Sequence, residues 1–221
     1  IIGSGSNILI RDKGFNGIII KLGKDFKNIN INENLLEVGA STLDINLSNF
    51  ALKNNIEGFE FFSGIPGSIG GAVKMNAGCF GGETKDRIHS VEIYNKSEKK
   101  ILIKDDIDLN YRSSNIKNNE IITKATFEFK NGDSKNIREK MKDIKNRRLL
   151  SQPIKNRTSG STFKNPPNLY AAKLIEDSGC KGMTYGNAYV SEKHANFFIN
   201  NGNASANDLE SLGNAVIEKV Y

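Results

Sequence analysis

The sequence has little of what marks several large classes of protein. It contains 2 cysteines, Cys79 and Cys180, which lie far apart and form no Cys-x-x-Cys pair. This disfavours both a disulfide framework and a zinc site, and a reducing cytosol is the expected setting. No apolar run approaches the roughly 20 residues that a membrane helix needs. The first residues show no basic leader or signal peptide, and since the chain opens on Ile1 inside an apolar run, we expect a fragment.

The positive charge has no concentrated pattern. The net charge is +6, but the lysines and arginines are spread along the chain and form no basic stripe interleaved with aromatic residues. Nucleic acid is therefore not the expected partner. Two interpretations stay open: an anionic small molecule as ligand, or solvated lysines in a Lys- and Asn-rich sequence. A chain of 221 residues with 38% hydrophobic and 25% charged residues fits a soluble protein of one large or two small domains.

The first part of the chain has the pattern of short strands and one helix. Brief apolar runs bounded by Gly, Asp and Asn predict strands in "NILIRD", "GIIIKL" and "NLLEVGA". Apolar residues at helical spacing predict a helix from about Thr42. The segments "RIHSVEIYN" and "KKILIKD" are typical of a hairpin. Alternation in "EIITKATFEFK" predicts a half-buried strand with one apolar face, made by Ile121, Thr123, Ala125, Phe127 and Phe129.

The pattern changes near residue 134. The helical segment "SKNIREKMKDIKNRRLL" ends in a stretch rich in Pro, Ser, Gly and Asn, which predicts a domain boundary at about residue 147. Beyond it, Gly179 stops a short helix, "NAYVS" and "NFFIN" are predicted strands, and Ser205 with Asp208 resembles the capping box of a last helix. The order of these elements predicts an α+β protein in two parts rather than regular βαβ alternation.

The stretch "GIPGSIGGAVKMNAG", residues 64–78, is dense in glycine. Bare backbone can approach a phosphate closely, and successive N–H groups can form a concave nest for an anion. The stretch lacks the lysine of a Walker loop and the spacing of a Rossmann turn. A tight turn between core elements is the alternative interpretation.

A second loop of small residues, "GSGSN" at residues 3–7, precedes an apolar segment and carries Ser and Asn side chains. On its own it indicates only a turn. Two separate donor-rich loops together indicate a ligand with more than one phosphate, and a dinucleotide fits better than a mononucleotide.

Five segments occur together and in order: "GSGSNILIRDKGFNGIIIKL", "GFEFFSGIPGSIGGAVKMNAGCFGGE", "YRSS", "SGSTFKNPP" and "VSEKHANFFINNGNAS". The set resembles the UDP-N-acetylenolpyruvoylglucosamine reductase family in its shorter, second type. The resemblance implies an FAD-binding fold of the vanillyl-alcohol-oxidase type over residues 1–147. It implies a smaller α+β substrate-binding domain over residues 148–221, with both chain ends incomplete. It further implies FAD as cofactor, NADPH as co-substrate, a UDP-sugar enolpyruvyl substrate and a cytoplasmic role in peptidoglycan precursor synthesis, with no obligate protein partner, membrane or metal.

The resemblance also implies which residues hold the cofactor. In this family the two glycine loops bind FAD. The implied contacts are Gly3, Ser4, Gly5, Ser6 and Asn7 in the first loop, and Gly64, Ile65, Pro66, Gly67, Ser68, Gly70, Gly71, Asn76, Ala77 and Gly78 in the second.

Two residues match the family's catalytic positions. Arg112 in "YRSS" matches the arginine that holds the substrate carboxylate, a task that suits a permanently charged bidentate donor. Ser161 in "SGSTFKNP" matches the serine proposed as proton donor, and no neighbouring His or Asp explains how its acidity is tuned. The implied substrate-binding residues are Tyr111, Lys164, Asn165, His194 and Asn196.

The sequence departs from the family at three points. The family's catalytic glutamate lies past the final helix, beyond Tyr221, and Glu218 is not that residue, so we expect a chain of this extent to be catalytically impaired. The segment that precedes Ile1 in the family is also missing, and Phe80 stands where many members carry tyrosine. Two other hypotheses stay open: another FAD-dependent oxidoreductase of the same fold, and a non-catalytic nucleotide-binding module.

Overall fold

The structure, a computed structural model, describes residues 1–96 and 98–221 and divides the chain into two units. Unit 1 comprises Ile1–Gly5 and Ile18–Asn146, and unit 2 comprises Ser6–Gly17 and Arg147–Tyr221. The later division falls beside residue 147, where the composition changes. No pattern in the sequence indicated that residues 6–17 belong with unit 2. The functions assigned to residues 1–147 and 148–221 stay a prediction.

Unit 1 is built on short antiparallel strands. The longest five form one sheet in which the strand that is tenth along the chain lies in the middle, between the second and the sixth. In chain order the strands are β1 (Ile29–Asn32), β2 (Leu35–Gly39), β3 (Ile56–Glu57), β4 (Gly78–Cys79), β5 (Gly82–Glu83), β6 (Ile88–Asn95), β7 (Glu98–Ile103), β8 (Leu109–Asn110), β9 (Ser113–Ser114), β10 (Ile121–Glu128) and β11 (Lys130–Asn131). The sheet order is β1-β2-β10-β6-β7. The predicted strand in "NLLEVGA" and the predicted hairpin, which is β6 with β7, are confirmed.

The central strand β10 differs from its prediction. The alternation predicts one buried face, but Ile122 and Thr126 are buried as well as Ala125 and Phe127. Its pairing with β6 shifts register after Ile122 and again after Thr126. The prediction of a half-buried strand is wrong because both faces are covered and two irregularities interrupt the alternation.

Among the described residues, three α-helices and four 3₁₀ turns complete unit 1, and the third helix continues into unit 2. The predicted helix near Thr42 is confirmed, and it buries Leu47 and Ala51 against the core. The helix after residue 134 is also confirmed, with Ile137 and Ile144 buried, and the division between the units falls within it. The helices are α1 (Asp44–Lys53), α2 (Ile69–Lys74) and α3 (Ser134–Ser151), and the 3₁₀ turns are Lys24–Phe26, Glu60–Gly64, Thr84–Asp86 and Lys104–Asp106.

The beginning of the chain does not form its predicted strands. Within the described residues 1–23 the structure has neither helix nor strand, although "NILIRD" and "GIIIKL" are rich in isoleucine. Ile18 is 86% exposed, and Ile8, Ile10 and Ile19 are exposed as well. The two strand predictions are therefore wrong, because a strand needs a hydrogen-bonding partner and β-propensity does not supply one.

Aromatic residues just before the long glycine stretch fix it to the core. Phe59 and Phe62 are fully buried, and their rings contact the ring of Phe127 from β10 at centroid distances of 5.8 and 6.1 Å. Edge-to-face pairs of this kind contribute beyond the buried area itself. The glycine stretch therefore starts from a rigid base.

Unit 2 has a three-stranded antiparallel sheet and two helices. The last helix begins with the predicted capping box, since Asp208 N–H donates to Ser205 Oγ at 3.0 Å and Ser205 N–H donates to Asp208 Oδ2 at 3.1 Å. Gly179 ends the short helix with φ of +67°, as predicted. The elements are β12 (Thr184–Tyr185), β13 (Ala188–Val190), β14 (Phe198–Asn200), α4 (Ala171–Asp177) and α5 (Ala206–Val220).

The segment of residues 6–17 is fastened to α5. The carboxylate of Asp12 accepts the main-chain N–H groups of Ala206 and Asn207 at 2.8 and 3.0 Å. Arg11 pairs with Glu210 at 2.9 Å. An anionic side chain at a helix N-terminus satisfies unpaired donors and suits the helix dipole, which explains why this early segment groups with unit 2.

The described residues, 1–96 and 98–221, contain neither a membrane-spanning helix nor a cluster of metal-ligating side chains. No helix in that part of the chain is both long and apolar enough to cross a bilayer. No three His, Cys, Asp or Glu side chains among those residues cluster as a metal site requires.

The phenylalanine cluster predicts a stability effect. Phe62→Ala removes a fully buried ring, so it should lower the free energy of unfolding by about 3–5 kcal/mol. Urea unfolding followed by circular dichroism measures this. The control is Phe15→Ala, whose ring is 64% exposed and whose loss should change stability by less than about 0.5 kcal/mol. Equal effects of the two substitutions would contradict the assigned role of the cluster.

Candidate functional site

The two glycine loops meet in unit 1. A Cβ atom added to Gly3 would lie 2.5 Å from Oγ of Ser68, so the first loop contacts the second where α2 begins. Gly5 has φ of +81°, a left-handed conformation that glycine adopts without strain. Of the first loop, Gly3 and Gly5 belong to unit 1, while Ser6 and Asn7 belong to unit 2.

Residues 40–44 run antiparallel to residues 67–70, and main-chain hydrogen bonds join the two segments. Asp44 N–H donates to the carbonyl of Gly67 at 3.2 Å, Ile69 N–H to that of Thr42 at 2.9 Å, and Gly70 N–H to that of Ala40 at 2.9 Å. Because these bonds use the amides of Ile69 and Gly70, those two N–H groups are not available to a phosphate. The predicted nest is therefore smaller than the sequence indicated.

Two glycines of the second of these segments allow close approach. A Cβ atom on Gly67 would lie 2.5 Å from Oδ2 of Asp44, and one on Gly70 would lie 3.1 Å from Cβ of Ala40. Gly67 and Gly70 therefore let the loop pack closely against Asp44 and Ala40. The turn interpretation and the binding interpretation of the glycine stretch are therefore compatible.

Asn76 joins three segments of unit 1. It is fully buried with φ of +40°, and its Nδ2 donates to Glu83 Oε2 at 3.1 Å and to the carbonyl of Asn110 at 3.2 Å. Its Oδ1 accepts the N–H of Lys85 at 3.0 Å. The side chain is thus committed to the protein, which favours a scaffolding role over the direct cofactor contact that the resemblance implies.

Arg112 lies in the two-residue turn between β8 and β9, with φ of +52°. Its Nη1 donates to the carbonyl of Asn76 at 3.1 Å and its Nη2 to that of Gly78 at 2.7 Å. Its guanidinium also lies 5.1 Å from the centre of the exposed Tyr111 ring. Arg112 shares positive φ with several other non-glycine residues of the chain, so its two hydrogen bonds, not its backbone angle, are what set it apart.

Arg112 lines an open cavity of about 400 Å³ together with Lys85, Asp86 and residues 78–83. Partial burial opposes ionisation of Glu83, but hydrogen bonds from Lys85 and Asn76 and the charges of Lys85 and Arg112 outweigh it and lower its pKa. The cavity is therefore lined by two basic side chains, Lys85 and Arg112, and by two acidic ones, Glu83 and Asp86. Sequence reasoning missed Glu83 and Lys85, whose only signal was their place in "GGETKD" beside the glycine stretch.

In unit 2, Asn196 fixes the segment that carries Ser161. The buried Asn196 accepts the N–H of Phe163 at Oδ1 and donates from Nδ2 to the carbonyl of the same residue, both at 2.9 Å. Its own carbonyl accepts the N–H of Thr162 at 2.8 Å. These bonds favour a positioning role for Asn196 over direct contact with a substrate.

Ser161 pairs with Phe197 in an isolated antiparallel bridge and is exposed. Within the described part of the chain its hydroxyl has no hydrogen-bond partner and lies open to solvent. Lys164 is exposed too, while Asn165 accepts the N–H of Ala171 at 3.0 Å and so supports the start of α4.

His194 is half-buried, and its ring packs on Phe197 at a centroid distance of 4.6 Å. Burial lowers its pKa, as does the charge of Lys181, while its own backbone and Glu176 act in the opposite direction. The ring is therefore neutral at pH 7. Because Nδ1 accepts the N–H of Asn196 at 3.3 Å, Nε2 carries the proton and is the available donor.

The predicted site residues thus fall into two groups. Unit 1 holds the second glycine stretch, Tyr111 and Arg112, while unit 2 holds Ser161, Lys164, Asn165, His194 and Asn196. Unit 1 offers two glycine loops and a cavity lined by Arg112 and by side chains of both charge signs. Unit 2 offers a hydroxyl, an amine and a neutral imidazole on two adjacent segments.

Comparisons with known proteins agree along the chain. Residues 1–101 match the family described as FAD binding domain, and residues 152–221 match that described as UDP-N-acetylenolpyruvoylglucosamine reductase, C-terminal domain. Proteins with that reductase name from Rickettsia conorii and Rickettsia massiliae are 49% identical to this chain over 219 and 220 residues. These matches cover 99% of this chain and 74% and 75% of the two proteins. The crystal structure of the reductase from Thermus caldophilus matches with a TM-score of 0.91 and 34% identity, over 98% of this chain and 80% of that one.

The Asn196 clamp predicts a local loss of stability. Asn196→Ala leaves the N–H and carbonyl of Phe163 without partners, so it should cost about 1–3 kcal/mol of unfolding free energy. It should also speed amide hydrogen exchange across residues 160–165. Asn201→Ala, at an exposed position of the same unit, is the control and should change neither quantity. Unchanged exchange in Asn196→Ala would show that the clamp does not order this segment.

Proposed function

The chain belongs to the UDP-N-acetylenolpyruvoylglucosamine reductase family, and from this premise we propose how its own residues serve that activity. It is a flavin-dependent oxidoreductase that uses NADPH to reduce UDP-N-acetylglucosamine enolpyruvate to UDP-N-acetylmuramate for peptidoglycan synthesis. Among the structural observations, the contact of Gly3 with Ser68 carries most weight. It brings together two glycine loops whose contacting residues, Gly3 and Ser68, lie 65 positions apart in sequence.

The residues of unit 1 fit FAD. The left-handed turn at Gly5 and the glycines Gly64, Gly67 and Gly71 of the second loop leave stretches of backbone that carry no side chain. A diphosphate suits such a surface because main-chain N–H groups are its ordinary ligands. When bound, FAD supplies hydride transfer from NADPH to the enolpyruvyl group. The residues of unit 1 proposed to hold it are Gly3, Ser4, Gly5, Gly64, Ile65, Pro66, Gly67, Ser68, Gly71, Ala77 and Gly78.

Arg112 is proposed to hold the substrate carboxylate. Two of its five N–H groups bind the carbonyls of Asn76 and Gly78, which fixes the guanidinium and leaves three donors. As the enolpyruvyl group is reduced, negative charge spreads into its carboxylate. A cation fixed before the reaction stabilises that charge without reorganising.

Ser161 is proposed to give the proton, and the neighbouring residues to hold the rest of the substrate. Lys164 supplies positive charge for the UDP diphosphate, and Nε2–H of His194 can donate to a substrate oxygen. Asn165 and Asn196 are proposed to hold the segment of Ser161 and Lys164 in place through their hydrogen bonds with Ala171 and Phe163. Tyr111 is proposed to line the substrate side of Arg112.

The setting of this activity is a further part of the proposal. Within the described residues neither Cys79 nor Cys180 forms a disulfide, which suits a reducing cytoplasm. The proposed partners are the UDP-sugar and NADPH, without nucleic acid, membrane or an obligate protein.

A colour change tests the function. Full-length protein supplied with FAD should be yellow, should bleach on adding NADPH and should recover on adding the UDP-enolpyruvyl sugar. Absorbance near the flavin maximum under nitrogen follows each step. Yellow that bleaches without recovery would favour another flavin oxidoreductase, and protein that takes up no FAD would favour a non-catalytic module.

The role of Ser161 makes a sharper prediction. Ser161→Ala should leave bleaching by NADPH nearly intact and slow the substrate-dependent recovery by about 10²- to 10⁴-fold, as expected for a lost general acid. Stopped-flow absorbance measures the two half-reactions separately. Ser159→Ala, in the same exposed loop, is the matched control and should affect neither. Equal slowing of both half-reactions would remove Ser161 from the proton-donating role.

A further inference from the structure

Three buried polar side chains at the start of α1 have no hydrogen-bond partner among the described residues. They are the hydroxyls of Thr42 and Ser48 and both carboxyl oxygens of Asp44. Asp44 and Ser48 are each 1% exposed. A buried polar atom without a partner costs free energy, so a set of four atoms in one place calls for a functional explanation.

The three side chains belong to one region beneath the glycine loop. Ser48 follows Asp44 by four residues, so the two lie on the same face of α1, and Thr42 directly precedes the helix cap. Asp44 contacts the loop twice, through its N–H to the carbonyl of Gly67 and through Oδ2, which occupies the space that a Cβ of Gly67 would need. Asp44 therefore packs directly against the glycine loop at Gly67.

Asp44 is surrounded by uncharged groups. Burial raises the pKa of Asp44 to about 8, and no charged side chain contributes to that shift. The charged residues of the packed elements, Lys53 on α1, Glu57 on β3, Glu60 in its 3₁₀ turn and Lys74 on α2, do not offset it. The carboxyl is therefore largely protonated at pH 7. Because the folded-state pKa is the higher one, the stabilisation is complete below the ordinary value of 3.8 and is lost as the pH rises through about 8.

We propose that Asp44 is a positioning residue of the FAD-binding loop, and that it acts as an uncharged carboxylic acid. In that form its O–H can donate and its carbonyl can accept, so Asp44, Thr42 and Ser48 can satisfy one another or a shared water without bringing charge under the loop. This inference rests on the proposed function, since the ligand held by the loop is the FAD diphosphate.

Ionisation of Asp44 would oppose that ligand. A carboxylate without a counter-ion would place negative charge against Gly67, in the loop proposed to hold the diphosphate, and low polarity would make the repulsion strong. The binding-competent form of the loop then falls with the protonated fraction. One pH unit above the pKa that fraction is about one tenth, so the apparent Kd for FAD should rise about tenfold.

The test compares wild type with Asp44→Asn, a neutral isostere that cannot ionise. Asp105→Asn, at an exposed position of the same unit, is the matched control. FAD affinity is measured by flavin fluorescence between pH 7 and 9. Amide hydrogen exchange of residues 64–71, corrected for intrinsic base catalysis, is measured on the same proteins without FAD.

The expected result is a tenfold loss of FAD affinity and faster loop exchange from pH 7 to 9 in wild type and Asp105→Asn, with neither change in Asp44→Asn. Identical pH profiles in wild type and Asp44→Asn would overturn the inference. If Asp44→Asn does not fold, the wild-type profiles decide, and flat ones overturn it. Failure to bind FAD at any pH would count against the proposed function, while the exchange data would still decide the role of Asp44.

Discussion

Three main-chain hydrogen bonds between residues 40–44 and 67–70 hold the glycine stretch in place, and the proposed cofactor contacts depend on that position. They tie the glycine stretch to the end of β2 and the start of α1, both of which are held by the core. On the other side, Phe59 and Phe62 anchor the same stretch to β10. A glycine-rich backbone is costly to order, and here the order comes from neighbours on both sides rather than from the stretch itself.

The asparagine and arginine side chains of the site make hydrogen bonds that hold the protein's own loops in place. In Asn76 and Asn196 the side-chain oxygen accepts and the side-chain NH₂ donates hydrogen bonds within the protein. Arg112 donates two of its N–H groups to main-chain carbonyls. An amide can pair with N–H and C=O at once, so it can substitute for a missing strand partner. Resemblance by sequence points to such residues, yet it does not separate those that would touch a ligand from those that hold its surroundings in place.

Local signals predicted the elements whose causes are local. The capping box at Ser205, the stop at Gly179 and the hairpin of β6 and β7 follow from chemistry within a few residues. The predictions that failed, the early strands and the one-sided β10, depend on partners far along the chain. For the site, glycine density and motif order indicated the loops and the two catalytic candidates. Glu83, Lys85 and Asp44 could not be found in this way, because only folding gives a carboxyl its burial or its charged neighbours.

The fastening of Asp12 to the first residues of α5 has a consequence for how the protein can be divided. Unit 2 is not a contiguous piece of chain, since its helix start is completed by a carboxylate encoded near the beginning. A fragment cut at residue 147 would leave those N–H groups unsatisfied. During synthesis the early segment must likewise wait for nearly 190 further residues before its partner helix exists. To excise this unit or exchange it between proteins, residues 6–17 must therefore be transferred together with residues 147–221.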